Sequence, residues 1–421
     1  MNDLYRDAKN VQDVDELEKK LAVLESEAAA VINILHEENG PCTIAPRRPQ
    51  VETLRKFLFL MHYRSVRLSK TYFQRDHPDN TPIRQWLSEY RKKHNLNSDV
   101  DVWLHDLRYY LDTPHTQIIR DADAMVDQCG GLKVVEEMMK THIDPGVENF
   151  SALAYKSQAD FYFLCIWEAA ENEEFTLGDN SFGLWEGRLL GKPGLHRLFA
   201  VGPRIVIILR DVHLDPALGP LAVPLGAVNS DLAAIPQDRP KPIYSNSALT
   251  PEDLAQHRLS AGAKKDKFEF KVTKLTRDQT FEVNKVFLEN VRTDGSLTFI
   301  SKERTLSTLR QYLRHPTSWP MNDVHKTTPK YRKLLSILEA DVASMSQNIL
   351  PQNPTNPSPS SVDQLNAELG TCQSPCFNEG LQMTPKPFLA LAGLQVSDEP
   401  KADAKVMPSK SQPLITQTRI A

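Results

Sequence analysis

Cysteine is scarce in this chain, and its few cysteines are too scattered for a disulfide framework. There are five in 421 residues, an odd number that favours free thiols in a reducing compartment. Cys372 and Cys376 lie close together, but no Cys or His near them completes the ligand set of a zinc site. We therefore expect neither disulfides nor a bound metal ion.

The chain also lacks a long apolar run and a large excess of either charge. No run approaches the roughly 20 apolar residues that span a bilayer, and the opening residues MNDLYRDAKN contain no apolar signal core. Fifty basic residues against 54 acidic ones leave a net charge of -4, which excludes a general attraction to nucleic acid or acidic membrane. These absences predict a soluble intracellular protein, in the cytoplasm, with no membrane partner.

No short motif assigns a reaction to the chain. It has no GxSxG, HExxH or kinase signature, and no GxGxxG follows an apolar strand pattern. The run GRLLGK at 187–192 is similar to a phosphate loop, but its glycines are too close together and Pro193 stands where Ser or Thr should bind magnesium. We reject this motif and expect no cofactor.

Apolar runs of strand length are present between Asp160 and Arg210. The runs 161–167, 175–177 and 205–209 follow one another with turn residues and a linker between them, which predicts a central β core. A half-buried strand is predicted later, at 267–273, where Phe268, Phe270 and Val272 alternate with polar residues. Thr276 and Gln279 then form a capping box for a helix that ends near Asn290.

Helical patterns dominate the first 150 residues. The run 14–36 has one apolar stripe, which indicates packing inside the domain, with a coiled coil as the alternative. The stripe consists of Leu17, Leu21, Leu24, Ala28, Val31 and Leu35. A second helix is predicted at 51–73, and further helices follow capping signals at Thr81 and Ser98. One more is predicted over 115–139, interrupted at Gly130 and Gly131.

These patterns predict an α+β fold, mainly α-helical, with a small central β-sheet and a disordered C-terminal tail. We expect a single domain at 1–345, composed of helices at 1–150, the β core at 151–215, a Pro- and Gly-rich loop at 216–265, and a strand and helices at 266–345. The long loop could wrap the core or form a lid. The segment 346–421 is rich in Pro, Ser and Thr and should be disordered.

Arg64 is the first candidate functional residue, because it falls on the apolar face of the second predicted helix. A guanidinium in that position needs a carboxylate partner, since an isolated buried charge is costly. Glu25 flanks the apolar stripe of the first helix and is a further candidate, with a structural role at the rim as the alternative. The neighbouring basic residues, among them Arg55 and Lys56, indicate a solvated face, and a nucleic-acid surface is possible but not supported.

Asp179, Asn180 and Ser181 form the second candidate cluster, because they follow an apolar run and should lie at the rim of the sheet. A carboxylate, an amide and a hydroxyl in one turn can hold a ligand or support catalysis. The alternative is structural, with Asp179 closing the strand in an Asx turn and pairing with Arg64. We predict that these two side chains lie close together.

The stretches that contain these candidates resemble the domain of unknown function 4238 family, in its fungal branch. The resemblance spans 4–312 and rests on LRKFLFLMHYR at 54–64, FTLGDNSFGLWEG at 175–187 and DKFEFKVTKLTRDQTFEVN at 266–284. By resemblance, Arg64 matches the family's arginine and Asp179 the aspartate of its Ser/Thr-Asp motif. Gly178 stands where the family usually has Ser, and Ser181 where it usually has Pro.

The resemblance leaves two classes of function open. The family's sequences typically open with a paired-histidine segment, which has no counterpart before Leu4. This implies an inactive or truncated family member, or an interaction protein whose partners and oligomeric state the sequence does not identify. The alternative is a hydrolase or nuclease-like enzyme with a polar site around Arg64 and Asp179.

Overall fold

The computed structural model describes residues 15–36, 42–64, 78–179, 181–189, 192–246, 249–250, 253–291, 295–314 and 324–348. Its helices are α1 (Glu16–Asn33), α2 (Arg48–Tyr63), α3 (Arg84–Lys93), α4 (Asp99–Asp112), α5 (His115–Gln128), α6 (Leu132–Lys140), α7 (Phe150–Phe161), α8 (Asp253–Arg258), α9 (Arg277–Glu289), α10 (Lys302–Arg314) and α11 (Val324–Asn348). Its strands are β1 (Thr43–Ile44), β2 (Tyr162–Glu168), β3 (Leu177–Gly178), β4 (Phe182–Leu189), β5 (Lys192–Ala200), β6 (Ile205–Asp211), β7 (Val228–Asn229), β8 (Lys241–Ile243), β9 (Lys267–Lys274) and β10 (Leu297–Thr298). The predicted tail lies outside the described residues, apart from the end of α11.

Eight of these strands form one mixed sheet. Its order is β1-β9-β2-β6-β5-β4-β7, and β8 pairs with a further stretch of β9. Within it, β2 lies antiparallel to β6 and parallel to β9, whereas β3 and β10 form a separate pair. The α+β class with a central sheet is confirmed, and the sheet has more strands than the sequence indicated.

Helices cover both faces of the sheet. Successive residues of a strand point to opposite faces, so Leu164 and Ile207 pack with Leu58 of α2 on one side. On the other side Ile208 packs with Val286 of α9. Because both faces are covered, β2 is buried along almost its whole length.

The helices of the first half form a second apolar cluster, which α1 joins to the sheet. Trp86 and Trp103 lie within this cluster, and so does Leu17 near the start of α1. Val31, near the end of α1, packs instead against the sheet. The stripe is therefore buried inside the domain, which favours the predicted packing over a coiled coil.

Two of the predicted capping signals correspond to helix starts, whereas the signal at Thr81 does not. Thr81 lies within a 3₁₀ helix (Pro78–Ile83), and α3 begins at Arg84 with Ile83 as its N-cap. Ser98 and Asp101 form a capping box at the start of α4, and Thr276 and Gln279 form one at the start of α9. The break in the predicted helix at 115–139 separates α5 from α6, as expected. The hydroxyl of Ser301 accepts a hydrogen bond from the Arg304 N–H and so caps α10.

The predicted β core is wrong in three places. Of the run 175–177 only Leu177 is in a strand, and that strand pairs with β10 outside the eight-stranded sheet. Residues 150–161 form α7, although the β core was expected to begin at 151. The stretch that follows Phe182 was interpreted partly as a linker, but it forms the long hairpin of β4 and β5. Its glycines and Pro193 obscure the strand pattern, because these residues are typical of turns and bulges.

The basic face of α2 is not the solvated surface that the sequence suggested. Arg55 donates to the carbonyls of Ala159 and Tyr162, at the C-terminal end of α7. Lys56 donates to the Thr113 carbonyl at the end of α4. Both cations lie where helix dipoles leave partial negative charge, so they join α2 to its neighbouring helices.

The helix itself begins at Arg48 and ends at Tyr63, and residues 65–73 of the predicted helix lie outside the described residues.

The long segment 216–265 wraps the sheet, which was one of its two predicted arrangements. Gln237 accepts a hydrogen bond from the indole of Trp167 on β2, and Arg239 pairs with Asp215. Near its end, Ser245 and His257 contact the buried carboxylate of Asp266. Hydrogen bonds along its length therefore fix this segment to the core.

Candidate functional site

Arg64 and Glu25, two of the residues predicted to form a site, are in direct contact. Arg64 caps the C-terminal end of α2, and its Nη2 lies 2.7 Å from Oε1 of Glu25 on α1. The two side chains are 26% and 42% exposed, so the pair is more accessible than the sequence indicated. Arg64 thus has an acidic partner, as expected, and that partner is Glu25. Its predicted proximity to Asp179 stays a prediction.

Asp179 lies in a tight turn between β3 and β4. The Gly178 N–H donates to Ser181 Oγ at 2.6 Å, and the Ser181 N–H donates to the Gly178 carbonyl at 3.1 Å. A Cβ atom at Gly295 would overlap the Asp179 carboxylate, so this side chain packs directly on the Gly295 backbone. Ser181 is buried, Asp179 is exposed, and Asn180 lies outside the described residues.

A β-bulge at Gly183 connects this turn to the end of α2. The register of β4 against β5 shifts between Phe182 and Leu184, and Gly183 has a φ of +83°. A Cβ atom there would lie 3.2 Å from Nδ1 of His62. The bulge therefore places Gly183 against His62 in the last turn of α2, which is followed at once by Arg64.

Arg197 lies beneath this bulge and was not among the predicted site residues. It is fully buried on β5, and its Nε donates to the Gly183 carbonyl at 3.5 Å. Its Nη1 donates to Gln158 Oε1 on α7, whereas its Nη2 has no hydrogen-bond partner among the described residues. Burial lowers the pKa of the guanidinium to about 9.

A second buried polar group lies on the opposite face of the same hairpin. Nδ1 of His196 lies 2.8 Å from Oε2 of Glu186, and Arg210 Nη1 lies 3.0 Å from His196 Nε2. A guanidinium can only donate, so His196 Nε2 accepts the hydrogen bond from Arg210. Nδ1 therefore carries the ring proton and donates a hydrogen bond to Glu186 Oε2. Burial lowers the pKa of His196, and the Arg210 charge lowers it further despite Glu186. The imidazole is therefore neutral and held in one tautomer.

Ser230 completes this group without forming a catalytic triad. Its hydroxyl donates to Glu186 Oε2 at 2.9 Å, on the same side of the imidazole that Glu186 occupies. A triad needs the serine and the carboxylate on opposite ring nitrogens, and here Arg210 occupies Nε2. The arrangement fixes the wrapping segment to the sheet. This group was not predicted from the sequence, because the hairpin that contains Glu186 and His196 was not recognised as two strands.

The described part of the chain lacks two further kinds of feature. Within it, no group of three or more His, Cys, Asp or Glu side chains is placed to hold a metal ion. None of its helices combines the length and the apolar character needed to cross a membrane.

A family model described as Protein of unknown function (DUF4238) matches residues 1–302. The chain belongs to this family. The DUF4238 match includes all strands of the described sheet and both candidate regions, and it confirms the family resemblance found in the sequence. No curated protein and no solved structure matches the chain.

Proposed function

We propose that this DUF4238 chain is an interaction protein that binds other proteins and does not hydrolyse a substrate. The ion pair between Arg64 and Glu25 carries the proposal. A hydrolytic site at this position would use the Arg64 guanidinium to bind an anionic substrate, but a carboxylate already lies 2.7 Å from it. The pair joins α1 to α2, which is a structural role.

The surroundings of Asp179 and of α2 support the same proposal. Asp179 packs on the Gly295 backbone and contributes to holding β3 against β10. Arg55 and Lys56 are directed to backbone carbonyls and not to solvent, which favours a protein partner over nucleic acid. These side chains serve the packing of the domain, and its outer surface is left for binding.

The absence of hydrolysis is tested with purified wild type and Asp179→Asn, using bis(p-nitrophenyl) phosphate with and without Mg²⁺ or Mn²⁺. We expect no release of nitrophenolate above the buffer blank from either protein. Release by the wild type that falls at least about tenfold in Asp179→Asn, with equal thermal midpoints, would reject the proposal.

Binding is tested by cross-linking in cells and by reconstituting each cross-linked pair from purified proteins. Failure of every pair to re-form would also reject it.

A hydrolase remains the second candidate, and one observation favours it. The Asp179 turn leads directly into the Gly183 bulge, beside His62 and above a buried guanidinium with an unused N–H group. Bulges often occur next to active sites, because they redirect side chains and interrupt strand pairing. The nitrophenolate assay distinguishes this candidate from the first.

The proposal also includes the finer features predicted from the sequence, namely the fungal branch of the family, a single domain at 1–345 and a cytoplasmic location. Support for the single domain comes from α11, whose Tyr331 hydroxyl donates to the Leu288 carbonyl of α9 at 2.6 Å. Support for a reducing compartment comes from the free thiols of Cys42, Cys129 and Cys165.

A further inference from the structure

Arg197 is a buried cation whose charge has no carboxylate partner among the described residues. Its guanidinium is 0% exposed, and its only described acceptors are the Gln158 amide oxygen and the Gly183 carbonyl. Both are neutral, and Nη2 has no described acceptor. Buried arginines are normally paired, because an isolated charge and an unsatisfied N–H group are both costly in a protein interior.

The described side chains around Arg197 favour a cation, and none of them provides a negative charge. Its guanidinium carbon lies 4.8 Å from the ring centroid of Trp185 and 5.3 Å from that of Phe199. Aromatic faces attract a guanidinium, and these two fix its orientation. They also exclude water from it, which strengthens its interaction with any anion that reaches Nη2.

The Gly183 bulge lies between Arg197 and the outer part of the hairpin. Arg197 Nε contacts the Gly183 carbonyl, and the neighbouring Phe182 side chain is 39% exposed. His62 Nδ1 approaches the same glycine from α2. Phe182 and His62 therefore both adjoin the glycine whose carbonyl Arg197 contacts.

We propose that Arg197 anchors a binding site for a small oxyanion beneath the Gly183 bulge. The ligand group is a carboxylate or a phosphate, its oxygen accepts from Arg197 Nη2, and His62 is its second contact. This site does not depend on whether the chain acts as an interaction protein or as an enzyme. It requires only that no carboxylate of the chain neutralises Arg197, as is the case among the described residues.

The first measurement is the thermal midpoint of the full chain in sodium phosphate, sodium acetate or sodium chloride at constant ionic strength. We expect phosphate or acetate to raise the midpoint saturably by about 3 °C or more at high excess over its dissociation constant. Chloride should not raise the thermal midpoint in this saturable way. The anion with the lower dissociation constant identifies the ligand as a phosphate or a carboxylate. Equal effects of all three salts would overturn the proposal.

The decisive variant is Gln158→Glu, which places a carboxylate beside Arg197 and keeps the size of the side chain. It should fold, melt at or above the wild-type midpoint without added anion, and weaken anion binding at least about tenfold, because the guanidinium is then neutralised internally. Gln128→Glu is the matched control, since Gln128 is exposed at the end of α5 and the change in net charge is the same. Equal binding by both variants would overturn the proposal. Arg197→Met should likewise lose the response, if it folds.

Discussion

Asp106 is a buried carboxyl group in α4 that should titrate near neutral pH. It is 3% exposed, and burial raises its pKa to about 7, although hydrogen bonds from Ser151 and Tyr63 lower it. The folded pKa is above that of the unfolded chain. Its contribution to stability is therefore fully present below about pH 4 and is lost as the pH rises through 7.

Asp106→Asn should remove this pH dependence, because an amide does not titrate. As the pH rises from 5 to 8, the unfolding free energy of the wild type should fall by on the order of 2–4 kcal/mol relative to that of the variant. Urea unfolding at the two pH values measures the difference. Burial also raises the pKa of Glu289 to about 7, so the wild-type curve alone would not isolate Asp106. Asp127→Asn, on the surface of α5, is the control, and an equal difference from the wild type in that variant would contradict the assignment.

Gly178 lies where the structure leaves no room for a larger residue. A Cβ atom at this position would overlap Cγ2 of Val291. Gly178→Ser should therefore destabilise the fold by about 1–3 kcal/mol, which is typical of overpacking. Val291→Ala in the same chain should recover part of that loss. Thermal unfolding of the single and double variants tests the contact, and a fully additive double variant would show that it does not exist.

At the scale of elements, Asp266 fixes the end of the wrapping segment. Burial disfavours its charge, but hydrogen bonds from the Ser245 N–H, His257 and Arg48 outweigh burial and lower its pKa to about 2. This folded pKa is below that of the unfolded chain. The stabilisation is therefore present above about pH 4 and decreases as the pH falls towards 2.

Asp266→Asn should loosen residues 241–265 and leave the centre of the sheet intact. Hydrogen exchange at pH 7 should increase in β8 and α8 but not in β2 or β6, because only the former depend on this carboxylate. Asp127→Asn is again the control, since Asp127 is exposed on α5 and lies outside the segment that is measured. Unchanged exchange in 241–265 would mean that the other contacts of the segment are sufficient.

Helix starts were easier to predict from the sequence than the strands of the sheet. Capping boxes such as that of Ser98 and Asp101 are local, so the sequence alone was enough to locate α4 and α9. The hairpin of β4 and β5 was missed because Gly183 and Gly187 adopt positive φ in bulges, which interrupt the alternation that identifies strands. Since Arg197 lies on that hairpin, its burial could not be predicted either.

At the scale of the whole molecule, α1 joins the helical cluster to the sheet, which should make unfolding cooperative. Trp86 and Trp103 report on the helical cluster, whereas Trp167 lies in the sheet. We expect tryptophan fluorescence and far-ultraviolet circular dichroism to give coincident urea transitions. Midpoints that differ beyond experimental error would mean that the two layers unfold independently and that 1–345 is not a single cooperative domain.

The parallel pairing of β2 with β9 has a consequence for synthesis on the ribosome. Ile166 of β2 pairs with Val272 of β9, so β2 leaves the ribosome well before β9 has been synthesised. At roughly 5–20 residues per second, the intervening chain takes on the order of 5–20 s to emerge. During that time one edge of an apolar strand is open to other nascent chains. The yield of native protein should therefore depend on chaperones that bind this edge during translation.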